Sequence, residues 1–319
     1  MQGRIARGLG VGLAATLMAA CTGAGLVTLP PAGQIFVVDA FNNRIARIND
    51  ITGTGWTTFG SAGGGINQFS QPFSIFVSTT GQIFVADRSN NRIVRIDSMT
   101  GAGWTTFGTF GSGTNQFNGP FSIFVSAAGQ IFVTDTGNGR IVRINDMTGT
   151  GWTTFDTTFG SGTNQFRNPW GIFVSAAGQI FVADEGNNRI VQIDDMTGTG
   201  WTTFGTFGSG ANQFNTPASI FVSPAGQIFV ADTLNNRIVQ IDDMTGTGWT
   251  AFGSAGGGIN QFSGPFSIFV SAAGQIFVAD RSNNRIVRID SMTGAGWTTF
   301  GSAGGGINQF NLPTGIFVQ

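Results

Sequence analysis

The sequence contains no histidine, no lysine and no tyrosine, and it has a single cysteine among 319 residues. The lack of histidine removes the commonest metal ligand and general base of proteins. One cysteine cannot form an intrachain disulfide, and without histidine it cannot build a zinc site. The composition therefore argues against a disulfide-stapled fold and against histidine-dependent catalysis, and it indicates no cofactor.

Charge is also scarce, because charged residues make up only 10% of the chain and every basic residue is arginine. Removal of the first twenty residues would take away Arg4 and Arg7 and leave 13 arginines against 16 acidic residues. Nucleic-acid affinity depends on lysine and arginine neutralising phosphates, so an acidic chain argues against a nucleic-acid partner. The abundant apolar residues and glycines instead favour a folded chain with a large core.

The amino terminus has the layout of a secretory signal, in which Arg4 and Arg7 precede a short, mostly apolar run. The string Leu17-Met18-Ala19-Ala20-Cys21 resembles a bacterial lipobox, where the signal is cut just before a lipid-bearing cysteine. We expect residues 1–20 to be the signal peptide, residues 21–32 a tether lipidated at Cys21, and residues 33–319 the folded domain. The alternative is an ordinary signal with a coincidental cysteine.

A lipidated Cys21 implies an exported protein that is anchored to the membrane of the bacterial cell envelope. Acylation also explains why an exported chain keeps one unpaired cysteine. By analogy with sorting in enteric bacteria, Thr22 rather than aspartate after the cysteine indicates the outer membrane.

Internal repetition dominates the rest of the chain. The string GQIFV begins at six glycines that are 48, 48, 49, 48 and 48 residues apart, namely Gly33, Gly81, Gly129, Gly178, Gly226 and Gly274. The longer step comes from one extra residue near Asp156. A period of this length is typical of the blades of a β-propeller.

Each period contains four apolar runs that turn residues separate. In the second period these runs predict strands at Ser74–Val77, Gln82–Ala86, Arg92–Ile96 and Trp104–Phe107. The first two strands are apolar on both faces and need cover on both sides, which neighbouring blades provide. The sequence therefore predicts an all-β, six-bladed propeller with four antiparallel strands per blade.

The two ends of the chain predict how the ring closes. The regular pattern begins at the second strand of a blade and stops after residues 313–318, which match a first strand. We expect residues 311–319 to complete the first blade. Val27-Thr28-Leu29 is a rival for the same place.

The repeated residues resemble the NHL repeat. In the second period the matching positions are Pro72, Ile75–Val77, Ile83–Ala86, Asp87, Asn90, Asn91, Arg92 and Ile93, and all six periods fit. One departure is Phe84, where that family often has tyrosine. The resemblance implies a propeller of a family that commonly serves as a recognition platform.

One aspartate and one arginine flank the same connection in every period. We interpret these pairs as structural, because a catalytic site occurs once and these occur six times; they are Asp39 with Arg44, Asp87 with Arg92, Asp135 with Arg140, Asp184 with Arg189, Asp232 with Arg237, and Asp280 with Arg285. Across a tight turn such a pair can form a charge-assisted bond.

Some propellers similar to this one are lactonases or lyases, and they depend on histidine or metal-binding carboxylates in the central pocket. This chain has one glutamate, Glu185, and residues 81–107 recur unchanged at 274–300, whereas catalysis needs an asymmetric set of groups. We expect a non-enzymatic recognition scaffold whose partner is a protein or another envelope ligand. A structural or adhesive envelope protein and a metal-dependent hydrolase or lyase are the alternatives.

Sequence variation points to one face of the propeller. The connection between the second and third strands and the long loop to the next blade emerge together, and the repeats differ most there. Since recognition resides in variable loops on a fixed scaffold, the candidate binding residues are Phe41, Arg88, Trp170, Glu185 and Arg281. The alternative is neutral drift, with the aromatic residues packing beneath the loops.

Overall fold

In the computed structural model, which describes residues 33–155 and 159–319, six four-stranded antiparallel sheets form the blades of a propeller. The strands of blades 1 to 3 are β1 (Ile35–Asp39), β2 (Arg44–Ile48), β3 (Thr57–Phe59) and β34 (Pro313–Val318); β6 (Pro72–Val77), β7 (Ile83–Asp87), β8 (Arg92–Ile96) and β9 (Thr105–Phe107); and β12 (Pro120–Val125), β13 (Ile131–Asp135), β14 (Arg140–Ile144) and β15 (Thr153–Phe155). The strands of blades 4 to 6 are β16 (Pro169–Val174), β17 (Ile180–Asp184), β18 (Arg189–Ile193) and β19 (Thr202–Phe204); β22 (Pro217–Val222), β23 (Ile228–Asp232), β24 (Arg237–Ile241) and β25 (Thr250–Phe252); and β28 (Pro265–Val270), β29 (Ile276–Asp280), β30 (Arg285–Ile289) and β31 (Thr298–Phe300).

The C-terminal strand β34 closes the ring, as the sequence predicts. It pairs antiparallel with β1, so that Ile35 lies opposite Val318 and Val37 opposite Ile316. Blade 1 is thus built from both ends of the described chain. The predicted rival, Val27 to Leu29, lies outside the described residues.

The predicted strands are present, with shifted ends. The first strand of blade 2 begins at Pro72 rather than Ser74, since Pro72 already pairs with Asp87 across a register shift. The second strand runs from Ile83 to Asp87, because Asp87 is held in the ladder opposite Arg92. Trp104 precedes the fourth strand and packs its ring against Phe59 and Phe69 between two blades.

Each connection from a second to a third strand is a single turn of 3₁₀-helix: Ala40–Asn42, Arg88–Asn90, Thr136–Asn138, Glu185–Asn187, Thr233–Asn235 and Arg281–Asn283. The residue after each turn is left-handed, as at Asn91 (φ 53°) and Gly139 (φ 65°). Asparagine and glycine tolerate this conformation best, which explains their recurrence there.

The long loops between blades contain short parallel ribbons that the sequence did not predict. In the described residues the ribbons are β4 (Ser61–Ala62) with β5 (Gln68–Phe69), β10 (Thr109–Phe110) with β11 (Gln116–Phe117), β20 (Thr206–Phe207) with β21 (Gln213–Phe214), β26 (Ser254–Ala255) with β27 (Gln261–Phe262), and β32 (Ser302–Ala303) with β33 (Gln309–Phe310). The phenylalanine that ends each second ribbon strand is fully buried between blades. These loops therefore fill the wedge that opens between neighbouring blades.

Antiparallel meandering gives the propeller two unlike faces. We call the face that carries the 3₁₀ turns the mouth face, and the interblade loops leave from it and return to it. The opposite face, which we call the turn face, carries the connections between first and second strands and between third and fourth strands. The first strand of every blade lines the central axis, as the ring contacts between these strands show.

Candidate binding face

Six identical clusters hold each blade to the loop before it, and we call each cluster a junction clamp. In blade 2, Asp87 accepts hydrogen bonds from Arg92 Nε at 2.7 Å and Asn90 Nδ2 at 2.8 Å on one oxygen. Its other oxygen accepts from the backbone N–H of Ser70 at 2.7 Å. The Arg92 guanidinium also donates to the carbonyl oxygens of Gly64, Gly65 and Gln68 in the preceding loop.

The same geometry recurs around the ring, with an Nε to Oδ2 distance of 2.7 to 2.9 Å in all six clamps and each aspartate side chain fully buried. Burial raises the pKa of each carboxyl group, while hydrogen bonds from the backbone, the asparagine and the arginine oppose that shift. Each arginine also lies 5.5 to 5.7 Å from a tryptophan ring centroid in its own blade. Each clamp arginine donates to the buried aspartate and to three carbonyl oxygens of the preceding loop, so the geometry of the clamps is that of structural elements.

The central channel is filled along its length. Near the turn face, six phenylalanines form a closed ring with 4.9 to 5.1 Å between neighbouring ring centroids; they are Phe76, Phe124, Phe173, Phe221, Phe269 and Phe317. Above them lies a layer of serines and glycines. Ser74 Oγ, for example, accepts from the backbone N–H of Ile123 in the next blade at 3.3 Å.

At the mouth face, the channel is closed by an aromatic cap of Phe73, Phe121, Trp170 and Phe266. Trp170 stacks on Phe121 at 4.6 Å with an interplanar angle of 15°, and Phe266 contacts the other three rings at 5.6 to 5.8 Å. Two cavities lined by the described channel residues measure about 20 and 70 Å³. A small-molecule site usually needs about 300 to 1,000 Å³, so the channel has no room for such a ligand.

The aromatic cap carries two arginines on its outer side. Arg88 Cζ lies 4.8 Å from the ring centroid of Phe73, and Arg281 Cζ lies 5.2 Å from Phe266 and 6.0 Å from Phe41. Both side chains are half-buried, and the Nε atom of each is buried without a hydrogen-bond partner. This burial lowers the pKa of both guanidinium groups, which remain charged because their ordinary pKa lies far above neutrality.

In the other four blades, the residue directly after the clamp aspartate is either apolar or hydrogen-bonded to another residue of the protein. Thr136 and Thr233 donate their hydroxyls to the carbonyl oxygens of Pro169 and Pro265, at 2.6 and 2.8 Å. Glu185 accepts a hydrogen bond from Asn168 at 3.2 Å, and burial raises the pKa of its carboxyl group. Ala40 in blade 1 is buried and apolar.

The structure therefore divides the five candidate residues. Arg88 and Arg281 lie over rings of the aromatic cap, and Phe41, which lies beside Arg281, is 42% exposed. Trp170 is half-buried in the cap itself and Glu185 is bonded to its own blade. The alternative that the aromatic residues pack beneath the loops holds for Phe121 and Phe266, which are buried.

Exposed apolar side chains are unevenly distributed over the surface. The described residues include eight large hydrophobic side chains that are exposed, namely Phe41, Ile66, Phe110, Phe159, Phe207, Leu234, Ile259 and Ile307. Two of them lie in 3₁₀ turns and six in interblade loops, one per loop. None of these eight belongs to the turns of the turn face. A partner that contacts them therefore meets the 3₁₀ turns and interblade loops of the mouth face.

Two clefts on the turn face were missed by the sequence analysis. One lies between blades 3 and 4, measures about 480 Å³ and includes Phe132, Arg143 and Met196; the other lies between blades 4 and 5 and measures about 600 Å³. Each is built by residues of two different blades. A single repeat read by itself contains no signal for such a cleft.

Comparison with known proteins agrees with this architecture. The family model of the NHL repeat matches residues 166–193, which run through the first three strands of blade 4. The protein is a six-bladed β-propeller that carries an NHL repeat. The clamp residues of blade 4 within that match, Asp184, Asn187 and Arg189, recur at equivalent places in the other blades. No protein of curated function matches the sequence.

Solved structures resemble this propeller over most of its length. A crystal structure of a nidogen/laminin complex aligns with a TM-score of 0.67 at 18% identity and covers 90% of this chain and 97% of that chain. A streptogramin B lyase aligns with a TM-score of 0.59 at 18% identity, covering 89% and 83%. A protein of unknown function from Bacteroides caccae aligns with a TM-score of 0.63 at 16% identity, covering 90% and 98%. At these identities the likeness shows the fold.

Proposed function

We propose that this NHL propeller is a non-enzymatic binding scaffold of the bacterial cell envelope, which recognises a partner protein on its mouth face. The observation that carries the proposal is the filled channel. With cavities of only about 20 and 70 Å³ along the axis, the propeller offers a ligand its outer surface rather than a central pocket. On the mouth face such recognition suits a macromolecular partner, whereas the two clefts with room for a small ligand, of about 480 and 600 Å³, lie on the turn face.

The character of the mouth face supports the same proposal. Exposed Phe41 and Leu234, half-buried Trp170 and two arginines over aromatic rings lie on this face. Aromatic residues and arginine are enriched among the side chains that dominate the energetics of protein interfaces. The turns of the opposite face repeat almost unchanged from blade to blade.

The proposed location in the envelope rests on the sequence, since Cys21 and the signal peptide lie outside the described residues. No helix in the described part of the chain is long and apolar enough to span a bilayer. The described chain begins at Gly33, whose backbone N–H donates to the carbonyl of Gln319 on the turn face. A lipid tether at Cys21 would thus join the turn face and leave the mouth face free.

Site-specific photo-crosslinking tests the binding proposal. A benzoylphenylalanine probe replaces Leu234 on the mouth face, and the matched control carries the probe at Thr199 on the turn face, where the side chain is also exposed. We expect the Leu234 probe to capture one protein in intact cells and the Thr199 probe to capture none. Capture only by the Thr199 probe, near the two clefts, would show that the partner binds the turn face and would contradict our proposal. Capture only of a second copy of this chain would support a structural assembly instead.

The envelope anchor has an independent test. Intact-mass analysis of protein extracted from membranes should show a chain that begins at Cys21 and carries acyl groups, because stable anchoring needs at least two lipid chains. A mature chain that begins elsewhere, or that stays in the soluble fraction, would contradict the anchor. Fractionation of inner and outer membranes then tests the outer-membrane location that Thr22 indicates.

A further inference from the structure

Arg88 and Arg281 differ from the clamp arginines of the same face in having no carboxylate beside them among the described residues. Neither side chain forms a hydrogen bond or an ion pair with any residue in the described ranges, and their contacts are with the aromatic rings of Phe73, Phe266 and Phe41. A guanidinium group has five N–H donors; the Nε of each of these arginines is buried, and no donor of either group has an acceptor among the described residues. An unmade buried hydrogen bond is unfavourable, so an acceptor from outside would be stabilising at both places.

Charge is divided between the two faces in a way that fits this reading. The connections of the turn face carry eight aspartates, namely Asp50, Asp97, Asp146, Asp194, Asp195, Asp242, Asp243 and Asp290, beside four arginines at the ends of third strands, Arg47, Arg95, Arg143 and Arg288. On the mouth face, the clamp aspartates and arginines balance one another. In the described residues, what remains there is Arg88, Arg167 and Arg281 against Glu185. Among the described residues, the mouth face therefore carries a net positive charge and the turn face a net negative one.

The surroundings of the two arginines define the class of anion. The guanidinium plane presents parallel N–H groups that match a carboxylate in a bidentate pair, and the aromatic rings behind it hold the plane in place. Binding of a polyanion such as a nucleic acid needs many cations along its path, whereas here two cations stand among exposed apolar side chains. That mixture fits a peptide in which acidic residues alternate with aromatic or aliphatic ones.

We infer that Arg88 and Arg281 are carboxylate receptors, which bind aspartate or glutamate side chains of an acidic, apolar stretch of the partner protein. The inference rests on the proposed function, because it assigns the ligand chemistry of the same mouth face. Phe41, beside Arg281, then accepts an apolar side chain of the same stretch. Each receptor lies over the aromatic cap, and no group of the channel below takes part.

Nuclear magnetic resonance of the purified propeller tests the inference without waiting for the natural partner. The probe is N-acetyl-aspartyl-phenylalaninamide, with N-acetyl-asparaginyl-phenylalaninamide and inorganic phosphate as comparison ligands at equal ionic strength. We expect the aspartyl probe to shift the side-chain Nε–Hε signals of Arg88 and Arg281 in the wild-type protein. The signals of Arg95 and Arg288 should stay in place, since these arginines already lie 3.7 and 3.2 Å from Asp97 and Asp290.

Matched variants sharpen the result, because Arg88 and Arg95 lie in one copy of the unchanged 27-residue segment and Arg281 and Arg288 in the other. The double variant Arg88→Gln with Arg281→Gln should bind the aspartyl probe at least tenfold more weakly, and Arg95→Gln with Arg288→Gln should bind it as the wild type does. Equal binding of the asparaginyl probe or of phosphate would overturn the assignment to carboxylates. Absence of any shift at Arg88 and Arg281 would overturn the receptors themselves.

These outcomes are separable from failure of the proposed function. If the Leu234 photo-probe captures a partner while the aspartyl probe leaves both arginine signals unmoved, the mouth face binds and the carboxylate assignment is wrong. If the arginine signals move but no partner is captured from the mouth face, the receptors exist and the proposed recognition of a protein is wrong.

Discussion

Arg88 and Arg92 stand four residues apart in blade 2 and have opposite roles. Arg92 bonds Asp87 and three loop carbonyls, and it lies 5.6 Å from the ring of Trp104. Arg88 lies 4.8 Å from the ring of Phe73 and has no acceptor among the described residues. Both are cations over aromatic rings, so the residue type and its aromatic neighbour do not distinguish them. The carboxylate does, because a guanidinium that has its own carboxylate belongs to the scaffold.

The contrast extends to the whole ring. The clamp arginine recurs in all six blades with the same partners, whereas arginine follows the clamp aspartate only in blades 2 and 6. Residues that recur in all six blades are therefore those that every blade needs in order to pack against its neighbour. Residues that occur in one or two blades are the candidates for a function of their own.

Removal of residues 311–319 should have the largest effect on the free energy of unfolding. The deletion takes away β34, the strand that pairs with β1 and contacts the first strands of blades 2 and 6. Blade 1 would then expose an unpaired edge and an apolar face. We expect loss of cooperative thermal unfolding, or aggregation, in calorimetry and size-exclusion chromatography. A chain that lacks residues 1–32 is the control and should melt as the full chain does; equal melting of both shortened chains would contradict closure by β34.

Substitution of one clamp aspartate should come next in size. Asp135→Ala removes a fully buried carboxylate from beside Arg140, whose side chain is only 4% exposed. Breaking a buried ion pair by removing one partner costs about 3–5 kcal/mol. Urea unfolding should show this loss, while Asp146→Ala, at an exposed aspartate of the same blade, should leave the midpoint nearly unchanged. A loss below about 1 kcal/mol for Asp135→Ala would mean that the clamps do not hold the blades.

A direct comparison of the two arginines of blade 2 gives a smaller but more selective effect. Arg92→Gln should lower the free energy of unfolding by about 2 kcal/mol, since hydrogen bonds to a charged group are lost within a clamp. Arg88→Gln should change it by no more than about 0.5 kcal/mol, because no acceptor loses its donor. Chemical denaturation of the two single variants measures the difference. Equal losses would erase the distinction between scaffold and receptor on which our inference rests.

The sequence predicted the parts of the fold that every repeat specifies. Six periods, four strands per blade, closure by the C-terminal strand and the pairing of Asp87 with Arg92 are all confirmed. These features follow from apolar alternation, turn residues and spacing within one repeat. What the sequence missed are the short ribbons within the interblade loops and the contacts between repeats, such as the bonds from Arg92 to Gly64 and Gly65 and the phenylalanine ring around Phe76.

The candidate site shows the same limit. Sequence variation selected Arg88, Arg281 and Phe41 together with Trp170 and Glu185, but it could not show which of these side chains finds a partner inside the protein. Asn168 bonds Glu185 from a loop that precedes it by 17 residues, and Trp170 stacks on Phe121 of the neighbouring blade. Such hydrogen bonds and ring contacts depend on which residues are neighbours in three dimensions. The period of 48 residues does not indicate which side chains meet across the central axis.

The smallest expected effect concerns the turn face, where the repeats hold aspartates in nearly identical turns. Asp146 is exposed, and hydrogen bonds from the hydroxyl and the backbone N–H of Thr148 lower the pKa of its carboxyl group. A carboxyl whose pKa is lower in the folded state stabilises the fold above its unfolded pKa, and this contribution is lost as pH falls through the folded pKa.

Thr148→Val removes the hydroxyl and keeps the branched shape, so the pKa of Asp146 should rise toward its ordinary value in a carbon-13 titration. The stability difference between wild type and Thr148→Val should accordingly shrink as the pH drops below that range. Thr100→Val in blade 2 is the matched control, because Thr100 bonds the hydroxyl of Ser98 in the equivalent turn rather than a carboxylate. Two results would contradict this prediction: a pH-dependent stability difference in the Thr100 variant, or an unchanged pKa of Asp146 in the Thr148 variant. Either would show that the threonine hydroxyl does not lower the pKa of the aspartate in these turns.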